Sequence, residues 1–365
     1  MPPPPSGKTG WPWDEETDPA IYCTENYFPK ISIVTPSYNQ GEYIEQTIRS
    51  VLLQNYPDIQ YIIIDGGSSD KTIEIIKKYE PWIYHWESGK DRGQSHAINK
   101  GIGHCTGEIF NWINSDDYYN PDCFKNLAGS FDSGNVHAVA GNYRYFDENK
   151  NRQEKVIGLR LKPTLEETLA FVLMDQPSTF FRLKIINELG GLDERYKYVM
   201  DQDLWKKFLF RYGMNNIKVT EKELAHFRLH GESKTYKNSF SKEYHGIFYS
   251  IAKKTGLNKH AEIIAGEYEL NVNDVNEFKF DFKDKDILPA KKVINYLIYF
   301  LARSYFTKGE YKKSAEYLSA ADSDLINTRH ISDFRKLKAK LLLIKFKMSF
   351  LIKESDRAAL INKQS

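Results

Sequence analysis

Cysteine is scarce in this chain: Cys23, Cys105 and Cys123 are the only three in 365 residues. They give neither an even disulfide framework nor a metal-ligand spacing, which suits a reducing compartment. No apolar run reaches the ~18 residues that cross a bilayer, so no transmembrane helix is expected. The opening stretch MPPPPSGKTGWPWDEETDP has no apolar centre and does not read as a secretory signal. Its prolines predict an extended arm, lying along the body or loose in solvent. A net charge of +2 shows no excess of either sign, so nucleic acid is not an expected partner. What remains is a globular, cytoplasmic chain long enough for about two domains.

From residue 31 onward, strands and helices alternate. ISIVT (31–35), YIIID (61–65), IYHWES (83–88) and EIFNWIN (108–114) are apolar runs with the composition of buried strands. Helical patterns lie between them, in EYIEQTIRSVLLQ (42–54), SSDKTIEIIKKY (68–79) and GQSHAINKGI (93–102). Continuous apolar strands, each followed by a helix, predict an α/β fold with a mostly parallel central sheet and helices on both faces. Ligands of such sheets sit beyond the carboxyl ends of the strands. Thr35–Asn39, Asp65–Asp70, Glu87–Gln94 and Asn114–Asp117 all fall on that edge.

The stretch NWINSDDYYN (111–120) runs from an apolar strand into adjacent carboxylates, Asp116 and Asp117. Carboxylates that close repel each other and resist burial without a counter-charge. One reading is a solvated turn with an Asp cap; the other is a divalent-metal site at a strand end.

Several ordered segments decide how this edge is read. VTPSYNQGEYIEQTIRSVLLQNYPDIQYIIIDGGSSDKT, then NSDD and MDQDLW, resemble an inverting family-2 glycosyltransferase of GT-A fold over about residues 29–235. The resemblance implies a hexosyltransferase-type enzyme that moves a sugar from a nucleoside-diphosphate donor to a hydroxyl acceptor. A glycan or lipid-linked acceptor and surface polysaccharide assembly follow from the same analogy. It implies a nucleotide site around Thr35, Pro36, Ser37, Asn39 and Asp65, with Asp65 accepting from a base N–H. Asp91, Arg92 and Gln94 precede a helix N-terminus, where they either hold a diphosphate or cap the helix. The family's Asp-x-Asp signature falls on Asn114-Ser115-Asp116. The resemblance therefore implies Mn²⁺ or Mg²⁺ on Asp116, with Asp117 as a second ligand or a turn cap, and Asn114 and Ser115 near the donor. In the family's acidic pair Met200 stands for Glu, and Asp201 keeps the position of the general base. Asp203 reads as a helix-start acid and Trp205 as core. His230, in FRLHGESKT (227–235), reads either as a metal or phosphate contact or as a structural residue, with Arg228 and Lys234 adding charge.

The domains expected are an N-terminal extension (1–28), a glycosyltransferase domain (29–235), a helical extension with a charged linker (236–285) and a helical C-terminal region (286–365). Within the last, ARSYFTKGEYKKSAEYLSAA (302–321) resembles one tetratricopeptide-type helix pair, which needs neighbouring helices to bury its face. RKLKAKLLLIKFKMSFLIK (335–353) has seven basic residues and no acid. It is either a helix packed on the body with snorkelling lysines or a peripheral contact with the inner face of a membrane. Two rival functions remain: a nucleotidyltransferase, whose basic Gly-rich loop is missing from PSYNQGEY, and a non-catalytic sugar-nucleotide-binding scaffold.

Overall fold

The structure, a computed structural model, describes residues 1–23, 28–131, 134–147, 154–231 and 239–361, the side chains at 147, 154, 239 and 347–361 excepted. The chain divides into two compact units. The first is Met1–Leu161 with Val172–Glu243, and the second is Lys162–Phe171 with Tyr244–Ser365.

The first unit opens with β1 (Ile31–Ser37), α1 (Ile44–Leu52), β2 (Ile59–Asp65), α2 (Thr72–Tyr79), β3 (His85–Ser88), α3 (Gln94–His104) and β4 (Ile109–Trp112). β5 (Tyr118–Tyr119), α4 (Cys123–Ala128), β6 (Ala138–Asp147) and β7 (Glu154–Gly158) follow. After α5 (Leu165–Phe171), which belongs to the second unit, come β8 (Thr179–Arg182), α6 (Leu183–Glu188), α7 (Met200–Tyr212) and β9 (Ile217–Leu229). The strands form one sheet in the order β3-β2-β1-β4-β8-β6-β9-β5, with β7 paired to β6.

β1 to β4 are mutually parallel, as their apolar runs require. From β8 the sheet is mixed: β8 runs antiparallel to both β4 and β6, and β6 is parallel to β9. Ile31 and Ile33 of β1 turn one way, into a core with Ile44, Ile48, Val51, Ile63, Ile76 and Tyr79. Val34 turns the other way, towards α3. A Cβ on Gly101 would meet Val34 Cγ1 at 2.4 Å, so glycine lets this helix lie directly on the strand.

The proline-rich arm is pinned to the body. Arg49, buried on α1, donates to the carbonyls of Pro12 (2.9 Å), Pro2 (3.0 Å) and Trp13. Trp11 Nε1 donates to the Tyr119 carbonyl at 2.7 Å.

The second unit is helical: α5, most of α8 (Ser239–Lys254), α9 (Asn258–Glu267), α10 (Asp284–Thr307), α11 (Tyr311–Ala320) and α12 (Thr328–Ile361). α10 and α11 form the helix pair, joined through Gly309 at φ +81. Glu267 on α9 accepts from Tyr305 (2.5 Å) and Tyr317 (2.8 Å) and pairs with Lys313 at 2.8 Å, so a neighbouring helix closes the pair's open side. The charged stretch 278–286 is not a solvated linker. Phe278 and Phe280 are buried, and Lys254 Nζ donates to the Phe278 carbonyl at 2.8 Å. Alternation of Phe with Lys and Asp sends the rings inward and the charges out. No helix among the described residues is long and apolar enough to cross a membrane.

Candidate active site

The carboxyl ends of β1, β2 and β4 open into a cleft of about 1020 Å³ in the first unit. Of the residues expected there, Pro36, Ser37, Asp91, Gln94, Asn114, Ser115, Asp116, Asp117, Asp201 and His230 line it. Thr35, Asn39, Asp65 and Arg92 do not, and each has a structural reason.

Thr35 is fully buried, its hydroxyl 3.1 Å from Tyr61 OH. Asn39 sits at φ +51 and ties two loops together: its N–H donates to Ser68 Oγ at 2.7 Å, and its Oδ1 accepts from the Ser69 N–H at 2.9 Å. The Asp65 carboxylate is fully buried and accepts from the N–H groups of Gly67 (3.0 Å) and Ser68 (2.8 Å), and from the hydroxyls of Ser68 (2.5 Å) and Ser88 (2.6 Å). With its lone pairs so occupied, Asp65 builds the turn that carries Gly66 and Gly67 into the cleft. Arg92 points away, to Glu194 at 2.6 Å. Its neighbour Asp91 accepts from the Gly93 N–H at 2.8 Å, which caps the approach to α3.

One wall is built by the turn after β4. Gln94, at the start of α3, donates to Asn114 Oδ1 at 2.6 Å, and Asn114 Nδ2 donates to Asp117 Oδ2 at 3.2 Å. Asp117 Oδ1 also accepts from the Arg228 N–H at 2.9 Å. Both oxygens of Asp117 therefore serve the protein, and burial together with the Asp116 charge pushes its carboxyl well above the usual carboxylate range. Asp116 is more open. Its Oδ2 lies 2.9 Å from His230 Nε2, and its carbonyl accepts from Arg228 Nε at 2.8 Å. The Arg228 guanidinium also donates to Gln46 Oε1 at 2.7 Å and stacks over Tyr43 and Phe146. It acts as a clamp on the Asp116 turn. Lys234 lies outside the described residues.

A cation fits Asp116 and His230. Cis ligands of an octahedral ion with bonds of ~2.1 Å stand about 3.0 Å apart, and this pair is already at that spacing.

The opposite wall comes from α7. Asp201, in its first turn, accepts from the N–H of Gln202 at 2.8 Å and from Gln202 Nε2 at 2.8 Å. Gln202 is held in turn by the Met174 N–H, which donates to its Oε1 at 3.0 Å. Desolvation raises the Asp201 carboxyl from 3.8 to about 6. Asp203 does not line the cleft: it is buried and pairs with Lys207 at 2.6 Å. Trp205 is core, and beside it Lys206 is fully buried, its ammonium lowered to about 7 by desolvation.

Sequence reasoning missed Asp175 and Gln176. Asp175 lines the cleft and is raised to about 7, first by desolvation and then by the Asp201 charge. Gln176 Nε2 donates to the Trp112 carbonyl at 2.5 Å, tying the end of β4 to the start of β8. The rule for parallel sheets points only to strand carboxyl ends. β8 is antiparallel, so its amino end reaches the same edge; the polar triplet DQP ahead of STFFR was the available signal.

Glycosyl transferase family 2 matches residues 32–190. An uncharacterised glycosyltransferase of Rickettsia typhi is 30% identical over 245 residues, covering 62% of this chain and 73% of the relative. One from Rickettsia prowazekii is 28% identical over 222 residues, covering 57% and 67%. Among solved structures, S. aureus TarS 1–349 in complex with UDP matches with a TM-score of 0.51 at 17% identity, over 85% of this chain and 87% of that one. At that identity the likeness concerns the fold, which is GT-A. The chain belongs to glycosyltransferase family 2 and is a glycosyltransferase enzyme.

Proposed function

We propose that this enzyme transfers a sugar from a nucleoside diphosphate to an acceptor hydroxyl with inversion at the anomeric carbon, assisted by a divalent cation. The observation that carries the reading is one cleft with two unlike carboxylate walls: Asp116 beside His230, and Asp201 beside Asp175. In this reading Ser37, whose buried Oγ has no hydrogen-bond partner among the described residues, contacts the donor. Gly66 and Gly67 give backbone access to it, and Gln94 and Asn114 flank it. Mn²⁺ or Mg²⁺ on Asp116 and His230, with Asp117 behind them, would supply positive charge to the leaving diphosphate.

Asp201 takes the proton from the acceptor hydroxyl as that oxygen bonds to the anomeric carbon. The bond to the diphosphate breaks on the far side and its electron pair leaves with the phosphate oxygen. A carboxylate at about 6 is mostly ionised at neutral pH and more basic than an ordinary aspartate, as a general base should be. TarS carries UDP in its solved complex, which makes uridine donors the first to test here. Release of nucleoside diphosphate from a panel of sugar nucleotides, with an acceptor glycan and Mn²⁺ or Mg²⁺, tests the proposal. No release with any donor would overturn it.

For the acceptor we favour a glycan or lipid-linked species, met at the cytoplasmic face of a membrane through residues 335–353. On α12, Phe334, Leu337 and Leu341 are buried, while Leu342, Leu343 and Phe346 are exposed beside Lys340 and Lys345. Exposed apolar residues among lysines suit an anionic lipid surface. Equal binding to anionic vesicles with and without residues 335–365 would refute this part.

A further inference from the structure

We propose that His85, Glu87 and His104 form a second divalent-cation site, remote from the cleft and selective for zinc-class ions over magnesium. One ligand atom from each of the three side chains lies within 4.8 Å of the others. His85 and Glu87 are two apart on β3, so both side chains leave the same face of this edge strand. His104 is the last residue of α3, which returns alongside the sheet. The two imidazoles stack with centroids 3.9 Å apart, and His85 Nε2 is shielded from solvent with no hydrogen-bond partner among the described residues. A buried ring nitrogen without a partner is a cost that a metal bond removes.

The donor set names the ion class. Two imidazole nitrogens and one carboxylate oxygen form the three-ligand pattern of zinc sites with an open fourth position. Magnesium, which wants oxygen ligands, is disfavoured. Tetrahedral bonds of ~2.1 Å place ligand atoms about 3.4 Å apart, so the widest pair of the triad must close by up to about 1.4 Å. The rings, tilted by 23°, must also splay so that both lone pairs meet one ion. His104 is exposed at a helix end, where its ring can leave the His85 stack without displacing core residues. Lys100, one helical turn earlier, now holds Glu87 at 2.5 Å and is the competitor that the ion displaces.

The site would join β3 to the far end of α3. Gln94, at the near end, lines the cleft about 15 Å along the helix axis. Cation binding would thus restrain the helix that presents Gln94 to the donor, without touching Asp116.

The test is Co²⁺ and Zn²⁺ titration of the full chain, followed by visible absorption and calorimetry. Three variants are compared with the wild type: His104→Ala, Lys100→Met and Asp116→Ala. His104→Ala removes an exposed ligand, and circular dichroism checks its fold. We expect one equivalent of ion bound outside the cleft with an intense tetrahedral cobalt spectrum, weakened at least tenfold by His104→Ala, tightened by Lys100→Met and retained in Asp116→Ala, which removes only the ion held in the cleft. If His104→Ala binds as well as wild type, or if Asp116→Ala abolishes the spectrum, the ion sits elsewhere and the proposal fails. No binding by the wild type also overturns it.

Discussion

The two carboxylate walls of the cleft are built on opposite terms. Asp116 and Asp117 sit among donors: the Arg228 N–H and Asn114 serve Asp117, and His230 faces Asp116. Asp175 accepts no side-chain hydrogen bond among the described residues, Asp201 has Gln202 and the nearby Lys206, and burial still raises both, to about 7 and about 6. Asp116, the more open of its pair, is held beside His230 and suits a fixed charge, whereas Asp117 is buried behind it with its carboxyl raised well above the usual range and serves the turn. A carboxylate that is desolvated and poorly supplied with donors is basic and suits a moving proton. In the proposed reaction the first wall therefore serves the leaving group and the second the acceptor.

Removing the proton acceptor should give the largest effect. Asp201→Asn keeps the size of the side chain, and transfer should fall by ~10²–10⁴-fold while nucleotide binding by calorimetry stays near normal. Asp203→Asn, which weakens the Lys207 pair outside the cleft, should leave most of the activity. If Asp203→Asn abolishes transfer and Asp201→Asn does not, the two walls have been misread. Next in size is the donor wall. Asp116→Ala should abolish metal-dependent donor binding in a folded protein, and full turnover by this variant would remove the assignment. Asn114→Asp restores a second acid there and should hold or strengthen metal binding. The added charge also faces Gln94 and Asp117, and complete loss of binding would show that the Asn114 amide is needed for that chain of hydrogen bonds.

The same contrast explains what could be read from sequence. The parallel half of the sheet was legible because its central strands are largely apolar runs and the following helices carry their own period, as in ISIVTPS and IEQTIRSVL. Its polar ends pointed to Asp116 directly. Asp201 was legible through MDQDLW, which no strand pattern would have placed in the cleft. Asp175 was hidden because an antiparallel strand delivers its amino end to the edge, and TFFR, as short and apolar as its parallel neighbours, carries no sign of its direction. The side-chain economy of Asp65 and Arg92 was hidden too: sequence places them near the cleft, but the Ser68 hydroxyl and Glu194 claim them. In the second unit, FKFDFKDKD was misleading because its average charge conceals an alternation that buries Phe278 and Phe280.

A pH profile sharpens the comparison with a moderate effect. Transfer needs ionised Asp201, so kcat/KM should fall as pH drops through about 6, two units above the ordinary aspartate range. The limb is to be read against nucleotide binding measured without added metal, because a metal-ligating imidazole itself competes with protons. An acid limb near 4 in kcat/KM would mean that Asp201 is not the titrating base.

The smallest effect falls on stability and isolates Asp175. Its folded carboxyl lies at about 7, against 3.8 in an ordinary environment. The folded state therefore holds the proton more tightly than the unfolded chain does. The contribution to stability is fully present below about 4, and is lost as pH rises from there through about 7. At pH 8 the wild type bears a desolvated charge beside Asp201. Asparagine has the same shape and no charge, and the Asp175 carboxylate accepts no hydrogen bond among the described residues that the amide would forfeit. The backbone carbonyl of Asp175, which accepts from Thr179 Oγ1 at 2.7 Å, is unaffected. Asp175→Asn should accordingly melt higher than wild type at pH 8, by on the order of 1 kcal/mol or about 2–4 °C, and the difference should shrink towards pH 5. Thermal melts at both pH values decide it: a variant that is less stable at pH 8, or equally shifted at both, would mean that Asp175 does not carry the cost of a buried charge.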